Sequence, residues 1–376
     1  MTIEQPSATI VQTEFEKLKE TVAAHFQIED ALIEHGIPTF YLKQPQETKR
    51  PFLNLLKALK PMGLMAVLRK IDGRIVLRVL QKPPSKPSNV LLNWLLLFAT
   101  IGTTFITGYI LSEGFTDPLI GGATFTIAIM AVLGLHEIGH KLAANKEGID
   151  ATPPYFIPGP PPLGRFLGIG TFGAVIMQKS LPPNKDSLFD IGVSGPIFGF
   201  VISAVATVIG LHFSVHDWAP PDAPTLPALL FFRIALLFVH PQSQIPSQPA
   251  PGYIPVIRLH PVAFAGWVGL FVTMLNLMPA AMLDGGHVAR SLFGEKARTV
   301  LAVLSIAFLA YVSLPMAFFV MFMSMFRHPG PLDDVSSLSR SRKLMVALLA
   351  VIFILSSFLL DMAYAFILFL KEFLKV

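Results

Sequence analysis

Across residues 1–87 apolar and polar positions alternate over short distances, whereas from residue 88 onward they separate into long apolar blocks. In the first part, Thr13 to Phe26 carries apolar residues at helical spacing, and Gly36 to Lys43 suits a strand. Pro51 to Lys60 reads as a second helix. Leu64 to Ile71 and Arg74 to Gln81 read as strands joined by Asp72-Gly73, a hairpin signal because both residues of that turn tolerate positive φ. The pattern predicts a small soluble α/β domain over 1–87. It closes on Lys82 to Ser88, a stiff proline-rich linker.

The later blocks are sized for a bilayer core of about 30 Å, which takes about 20 helical residues to cross. They predict spans near 90–112, 122–145, 188–211, 262–283, 297–323 and 344–370. Two intervening stretches are irregular, Pro153 to Ser180 and Asp217 to His260. Within the second, Leu226 to His240 is apolar around Arg233, too short to span, and suits the interface. The expected fold is a polytopic α-helical membrane protein of about six transmembrane helices over 88–376, preceded by the N-terminal α/β domain.

Composition supports this division. Of 376 residues, 53% are hydrophobic and 14% charged, against about 25% charged in soluble domains. The mean hydropathy is +0.61. The partner this implies is the lipid bilayer. A net charge of +5 then belongs to the loops of a multi-span protein, so no nucleic-acid partner is expected. The absence of cysteine excludes disulfides and thiolate metal sites. The first 30 residues hold six acids and no apolar leader, so targeting is expected from the first span.

Lys141, Lys146, Arg165, Lys179 and Lys185 follow the second span, and Arg290, Lys296 and Arg298 follow the fourth. Between the first two spans only Glu113 and Asp117 are charged. The positive-inside rule therefore predicts a cell-membrane protein with the N-terminal domain, the loop after the second span and the C-terminus all cytosolic. One loop disagrees. Arg327, Arg340, Arg342 and Lys343, between the fifth and sixth spans, would lie outside.

The second block contains His136-Glu137-Ile-Gly-His140. Residues i and i+4 project from one helix face, so the two imidazoles can share one metal ion. Zinc bonds to nitrogen of about 2.0–2.1 Å fit that spacing. Glu137 falls beside the metal, where it can take a proton from water whose pKa zinc lowers to about 7. Unpaired ionisable groups at this depth would be costly, which favours a metal site over a chance pattern. Catalytic zinc usually keeps three protein ligands. Asp284 is the best candidate for the third, being the carboxylate that ends the fourth block; His287, one turn on, is the alternative.

Taken with Asn276-x-x-Pro279-x-x-x-Leu283-Asp284-Gly285, the HExxH motif resembles the site-2 protease family of intramembrane zinc metalloproteases. The similarity covers about residues 122–290 and leans toward archaeal, cyanobacterial and plastid members. It implies one Zn2+ per chain on His136, His140 and Asp284, with Glu137 as catalytic base. Asn276 would hold or polarise the substrate, although a helix-packing role is an equal contender. Gly168 to Ile176 resembles the family's re-entrant β segment, which implies that Gly170, Thr171, Phe172, Gly173 and Ala174 bind an unwound substrate along a strand edge. Gly192-Val-Ser-Gly195-Pro-Ile-Phe-Gly199 resembles its small-residue motif and is read as helix packing. Ala281 and Met282 depart from the family's glycine and polar residue.

The implied function is peptide-bond cleavage in or near transmembrane segments of other proteins. A membrane metal transporter, or an inactive scaffold, using the same His/Asp site is the alternative. Substrate identity, the role of residues 1–87 and the oligomeric state are not legible.

Overall fold

The alternating N-terminal pattern becomes helix α1 (Ala8–Ala23), strands β1 (Ile28–Glu34) and β2 (Ile37–Leu42), helix α2 (Lys49–Leu59) and strands β3 (Leu64–Ile71) and β4 (Arg74–Gln81). The computed structural model describes residues 8–84, 88–163, 168–223, 225–242, 252–280, 282–312, 314–325 and 330–358. The antiparallel sheet has the order β1-β2-β4-β3. Asp72 and Gly73 adopt φ of 48° and 83°, so the hairpin forms where its turn residues allow. Strand β1 is absent from the sequence expectation. Its three acids break the apolar alternation, and its turn to β2 uses His35-Gly36, a less common positive-φ pair.

The helices cover one side of this sheet. Phe40, Phe52, Leu55, Leu59, Leu68 and Leu77 are fully buried there, each contributing about 1.5–3 kcal/mol of transfer free energy. Leu332, far along the chain, completes the same cluster. Its segment adds to the sheet edge: the Leu68 N–H donates to Leu332 O at 2.9 Å and the Asp334 N–H to Leu68 O at 3.2 Å.

Beyond residue 88 come α3 (Val90–Leu111), α4 (Pro118–Lys146) and α5 (Lys185–His212), the three described helices long and apolar enough to cross a membrane. Each starts on a side-chain cap. Asn89 accepts from the Leu92 N–H, Asp117 from Leu119 and Ile120, and Asn184 from Ser187. Between α4 and α5, strands β5 (Tyr155–Pro158) and β6 (Thr171–Val175) pair antiparallel. After α5, β7 (Val215–Ala219) and β8 (Ile254–Arg258) pair across the proline-rich region and flank a short helix, α6 (Leu230–Ala235). This ribbon was not expected from sequence. Its strands lie far apart in the chain, with no turn signal linking them.

The fourth block holds α7 (Pro261–Asn276), non-helical residues at 277–280 and 282–283, and α8 (Asp284–Leu292). The fifth corrects the sequence reading. Its described residues form α9 (Glu295–Val312) and α10 (Leu314–Ser324), on either side of residue 313, which lies outside the described residues. They pack on each other, and the chain returns to where it left: Arg290, ending α8, bonds Asp334, which follows α10. The loop carrying Arg340 and Arg342 is therefore not on the far side. Arg342 meets Asp190 and Asp186 at the start of α5, beside Lys49 at the start of α2 in the N-terminal region. From there α11 (Arg340–Leu355) runs away from the N-terminal sheet, until Ser357 O accepts from the Leu230 N–H of α6. Its direction is opposite to that expected for the last span. The rest of the sixth block, with Asp361 and the C-terminus, lies outside the described residues, as do Arg165, Arg327 and Ala281.

Candidate metal centre

Three local features assemble the site. The first is α4, whose helical repeat puts His136 and His140 on one face, ten and six residues before its last residue. That is about 9–15 Å inside the helix end at a rise of 1.5 Å per residue. The second is the break after α7. The chain leaves the helix after Asn276, shortly before Pro279, and α8 starts with Asp284 as its first residue. Gly285 sits so near the Leu277 carbonyl that a Cβ would lie 2.1 Å from that oxygen, so no larger residue lets α8 begin here.

The third is the glycine face of α5. A Cβ on Gly195 would come within 2.1 Å of His140 Nε2, and one on Gly199 within 2.8 Å of His136 Nδ1. Gly192, earlier on that face, faces His287 and the Asp284 carbonyl. These residues, expected only to bring helices together, also form the wall against which both histidines lie. Their spacing of three and four residues held that information, because it repeats the period of the facing histidines.

The side chains converge. His136 Nε2 lies 3.1 Å from His140 Nε2. The two Asp284 oxygens lie 3.2 Å from His136 Nε2 and 3.2 Å from His140 Nε2. His136 and His140 are 6% and 7% exposed. The His140 Nδ1 is 2.7 Å from the Ile191 carbonyl, to which it donates, leaving the Nε2 lone pair facing inward. Two imidazole nitrogens facing each other, and an Asp284 Oδ2 that is buried without a hydrogen bond, make a poor hydrogen-bonding arrangement. They make a good set of donors to a cation.

The fit to zinc can be tested on spacing. Ligand atoms around a tetrahedral ion with bonds of about 2.0–2.1 Å lie about 3.3 Å apart, close to the 3.1 and 3.2 Å found here. Donor chemistry agrees, being two imidazoles and one carboxylate. The group that could hold a metal ion is thus His136, His140 and Asp284. His287 is not part of it.

Around this group lie the other candidates. Asn276 Nδ2 is 3.3 Å from His136 Nε2, at the margin of the cluster. Glu137 accepts the Ile176 N–H at 3.0 Å, tying it to the residue that follows β6. Of the proposed substrate-binding residues, Thr171, Phe172, Gly173 and Ala174 lie on β6, and Gly170 immediately precedes it. Gly170 has φ of +76°, and its carbonyl accepts the Thr103 hydroxyl of α3 at 2.6 Å. Phe172 is 71% exposed. Among the described residues β6 pairs only with β5, leaving its second edge open.

With this geometry in hand, comparison with known proteins gives the class. The profile of peptidase family M50 matches residues 124–321. That is more than half of the chain and includes every metal-site candidate. The chain belongs to peptidase family M50. It is 28% identical over 238 residues to "Probable zinc metalloprotease EGY1, chloroplastic" of Arabidopsis thaliana, covering 61% of this chain and 41% of that one. To the Oryza sativa subsp. japonica protein of the same title it is 31% identical over 225 residues, 57% of this chain and 37% of the other. The chain thus spans about two fifths of the length of these curated relatives. Among solved structures, the Site-2 Protease from Methanocaldococcus jannaschii matches at 19% identity and a TM-score of 0.24, over 62% of this chain and 83% of that one.

Proposed function

We propose that this chain is an intramembrane zinc metalloendopeptidase that cuts peptide bonds within or near transmembrane segments of other proteins. One observation carries the reading: two imidazoles from α4 and a carboxylate from α8 converge at zinc-ligand spacing, with Glu137 beside them, inside a helix fit to cross a bilayer. His136, His140 and Asp284 would hold the ion. Zinc there would supply Lewis acidity, polarising a carbonyl and lowering the pKa of water to about 7.

The remaining roles fall to the chain. Glu137 is the proton acceptor, and its hydrogen bond to the Ile176 N–H fixes its carboxylate near the end of β6. Asn276 offers an amide donor at the cluster margin for charge developing on the substrate carbonyl. A transmembrane substrate hides its peptide bonds in helical hydrogen bonds, so it must extend before it is cut. The open edge of β6, over Gly170 to Ala174, would satisfy the backbone groups that are then freed.

We assign residues 1–87 to a soluble domain and 88–376 to the membrane protease domain. The crossings are α3, α4, α5 and the α7–α8 pair, with α9–α10 a hairpin from the N-terminal face and α11 entering from that face. We place that face in the cytosol and the protein in the cell membrane. Lys146, Lys185, Arg290, Arg340, Arg342 and Lys343 support this orientation, since contacts tie their helix ends together. No observation favours metal transport. Among the described residues there is one candidate metal group, where a transit path needs several.

The test is cleavage of a single-span substrate by purified protein in detergent, with products mapped by mass. A cut within the span that stops on chelation is expected. Glu137→Gln should keep zinc near one per chain while activity falls at least about a thousandfold. Undiminished cleavage by that variant would remove Glu137 from the mechanism.

A further inference from the structure

The fold connects the N-terminal sheet to the metal carboxylate through one short segment, residues 330–339. Its backbone is held from two sides. The Leu332 carbonyl accepts from the Leu68 N–H and from Arg69 Nη1 at 2.7 Å. On its other side, the Leu332 and Asp333 N–H groups donate to the Pro182 and Pro183 carbonyls, just before α5. The next residue, Asp334, reaches α8. Both of its oxygens accept from the two Nη groups of Arg290, one at 3.0 Å. Lys185 stands 3.6 Å away on the same carboxylate.

Helix α8 is short and pinned at both ends. Nine residues span about 13 Å, so the six-residue step from Asp284 to Arg290 leaves little room to bend. At the first end Gly285 is wedged beneath the Leu277 carbonyl. At the other the Arg290 side chain is 14% exposed, and its Nε is buried without a hydrogen bond. Asp334 is therefore the principal neutralising partner of a largely buried cation. Removing one member of such a pair leaves the other uncompensated, and the helix end carrying it must move toward water.

We propose that Asp334 is a positioning residue for the metal centre: through Arg290 it fixes the axis of α8, and hence the Asp284 carboxylate, and it links this alignment to the seating of the N-terminal sheet. The role rests on the metal reading above. It gives residues 1–84 a function at the site without any contact with substrate. Whatever loosens the sheet from Leu332 loosens the third ligand of the metal.

The experiment uses the full chain in detergent and reads zinc affinity by chelator competition, alongside thermal unfolding of the zinc-free protein. Asp334→Asn keeps the shape and removes the charge. Expected is a zinc Kd raised about tenfold, in the range seen when groups supporting ligands are removed, with partial recovery in Asp334→Glu. Hydrogen exchange should rise across the α8 amides. The control is Arg342→Gln, which breaks the pairs to Asp190 and Asp186 on the same face while Asp186 keeps its bonds to Ser339 and Lys49 and the Arg290–Asp334 pair is untouched. It should lower thermal stability while leaving zinc Kd within twofold. Equal loss of affinity in both variants, tracking thermal stability, would reduce Asp334 to a structural contact and overturn the proposal. Unchanged affinity in Asp334→Asn would overturn it too, while leaving the metal site intact. A wild-type chain that takes up no zinc overturns the metal reading and this role with it.

Discussion

Helices α3 and α5 have nearly the same apolar character, with mean hydropathies of 1.8 and 1.9, yet they do different work. Only 17% of the apolar window of α3 is buried, against 50% for α5. On α3, Leu91, Leu95 and Phe98 are 59–71% exposed and suit lipid, while Thr100, Thr104, Thr107 and Gly108 form a narrow buried face. On α5 the buried face carries the glycines that admit the two histidines. Hydropathy thus reports where a helix can reside. The residues removed from it, down to a missing Cβ, report what the helix does.

The sharpest way to break this contrast is at the ligands that the α5 wall accommodates. Asp284→Ala should lose zinc almost completely, with affinity falling at least about a hundredfold, as expected when one of three ligands goes. His287→Ala should retain it, because His287 stands outside the converging group. Zinc content after dialysis against a weak chelator measures both. Loss in the His287 variant alone would reassign the third ligand.

Next in size is a methyl group placed on each helix. Gly195→Ala puts a Cβ 2.1 Å from His140 Nε2. The ring is held at Nδ1 by the Ile191 carbonyl, so it cannot swing away without moving the ligand atom. Overpacking of this kind costs about 1–3 kcal/mol, and zinc affinity and cleavage should both fall by tenfold or more. Gly102→Ala on α3 meets nothing within 4 Å. It should leave zinc uptake and cleavage unchanged and alter stability by at most about 1 kcal/mol. Equal effects at the two glycines would show that α5 is no more a wall for the site than α3.

Much of this was legible in the chain. The HExxH period placed His136 and His140 on one face, and the single carboxylate ending the fourth block picked out Asp284. Strands β3 and β4 were readable because Asp72-Gly73 fits a turn with positive φ at both positions. Other features were not legible, for physical reasons. A 27-residue apolar run from 297 to 323 reads as one span, because hydropathy does not register that the chain returns to the face it left, where Arg290 meets Asp334. The same error sent Arg340 and Arg342 to the wrong side, although the acids that Arg342 meets, Asp186 and Asp190, stand at the head of an apolar block. Ribbon β7–β8 and the Leu332 contact with the N-terminal sheet join residues too distant in sequence for any local pattern.

The smallest effect expected concerns the charges that close the N-terminal face, where the comparison is between apolar helices and their polar ends. Burial alone would raise the Asp334 carboxyl, but the Arg290 guanidinium outweighs it, with help from Lys185 and Arg69, and holds its pKa below the usual carboxylate value. Arg298 adds positive charge nearby and Asp333 is the adjacent acid. A folded-state pKa below the unfolded one means that the ionised carboxylate stabilises the fold. That contribution is full above the unfolded value of about 3.9 and fades as pH falls through the lower folded value. The sheet should therefore stay seated on residues 330–339 until the pH is well below 4, and then loosen. Asp334 keeps some contact with water and can be protonated in place, so the signal is a modest acid limb in the unfolding midpoint. Asp334→Asn should flatten that limb while lowering stability at neutral pH. A limb that persists in the variant would place the acid sensitivity outside the Asp334–Arg290 pair.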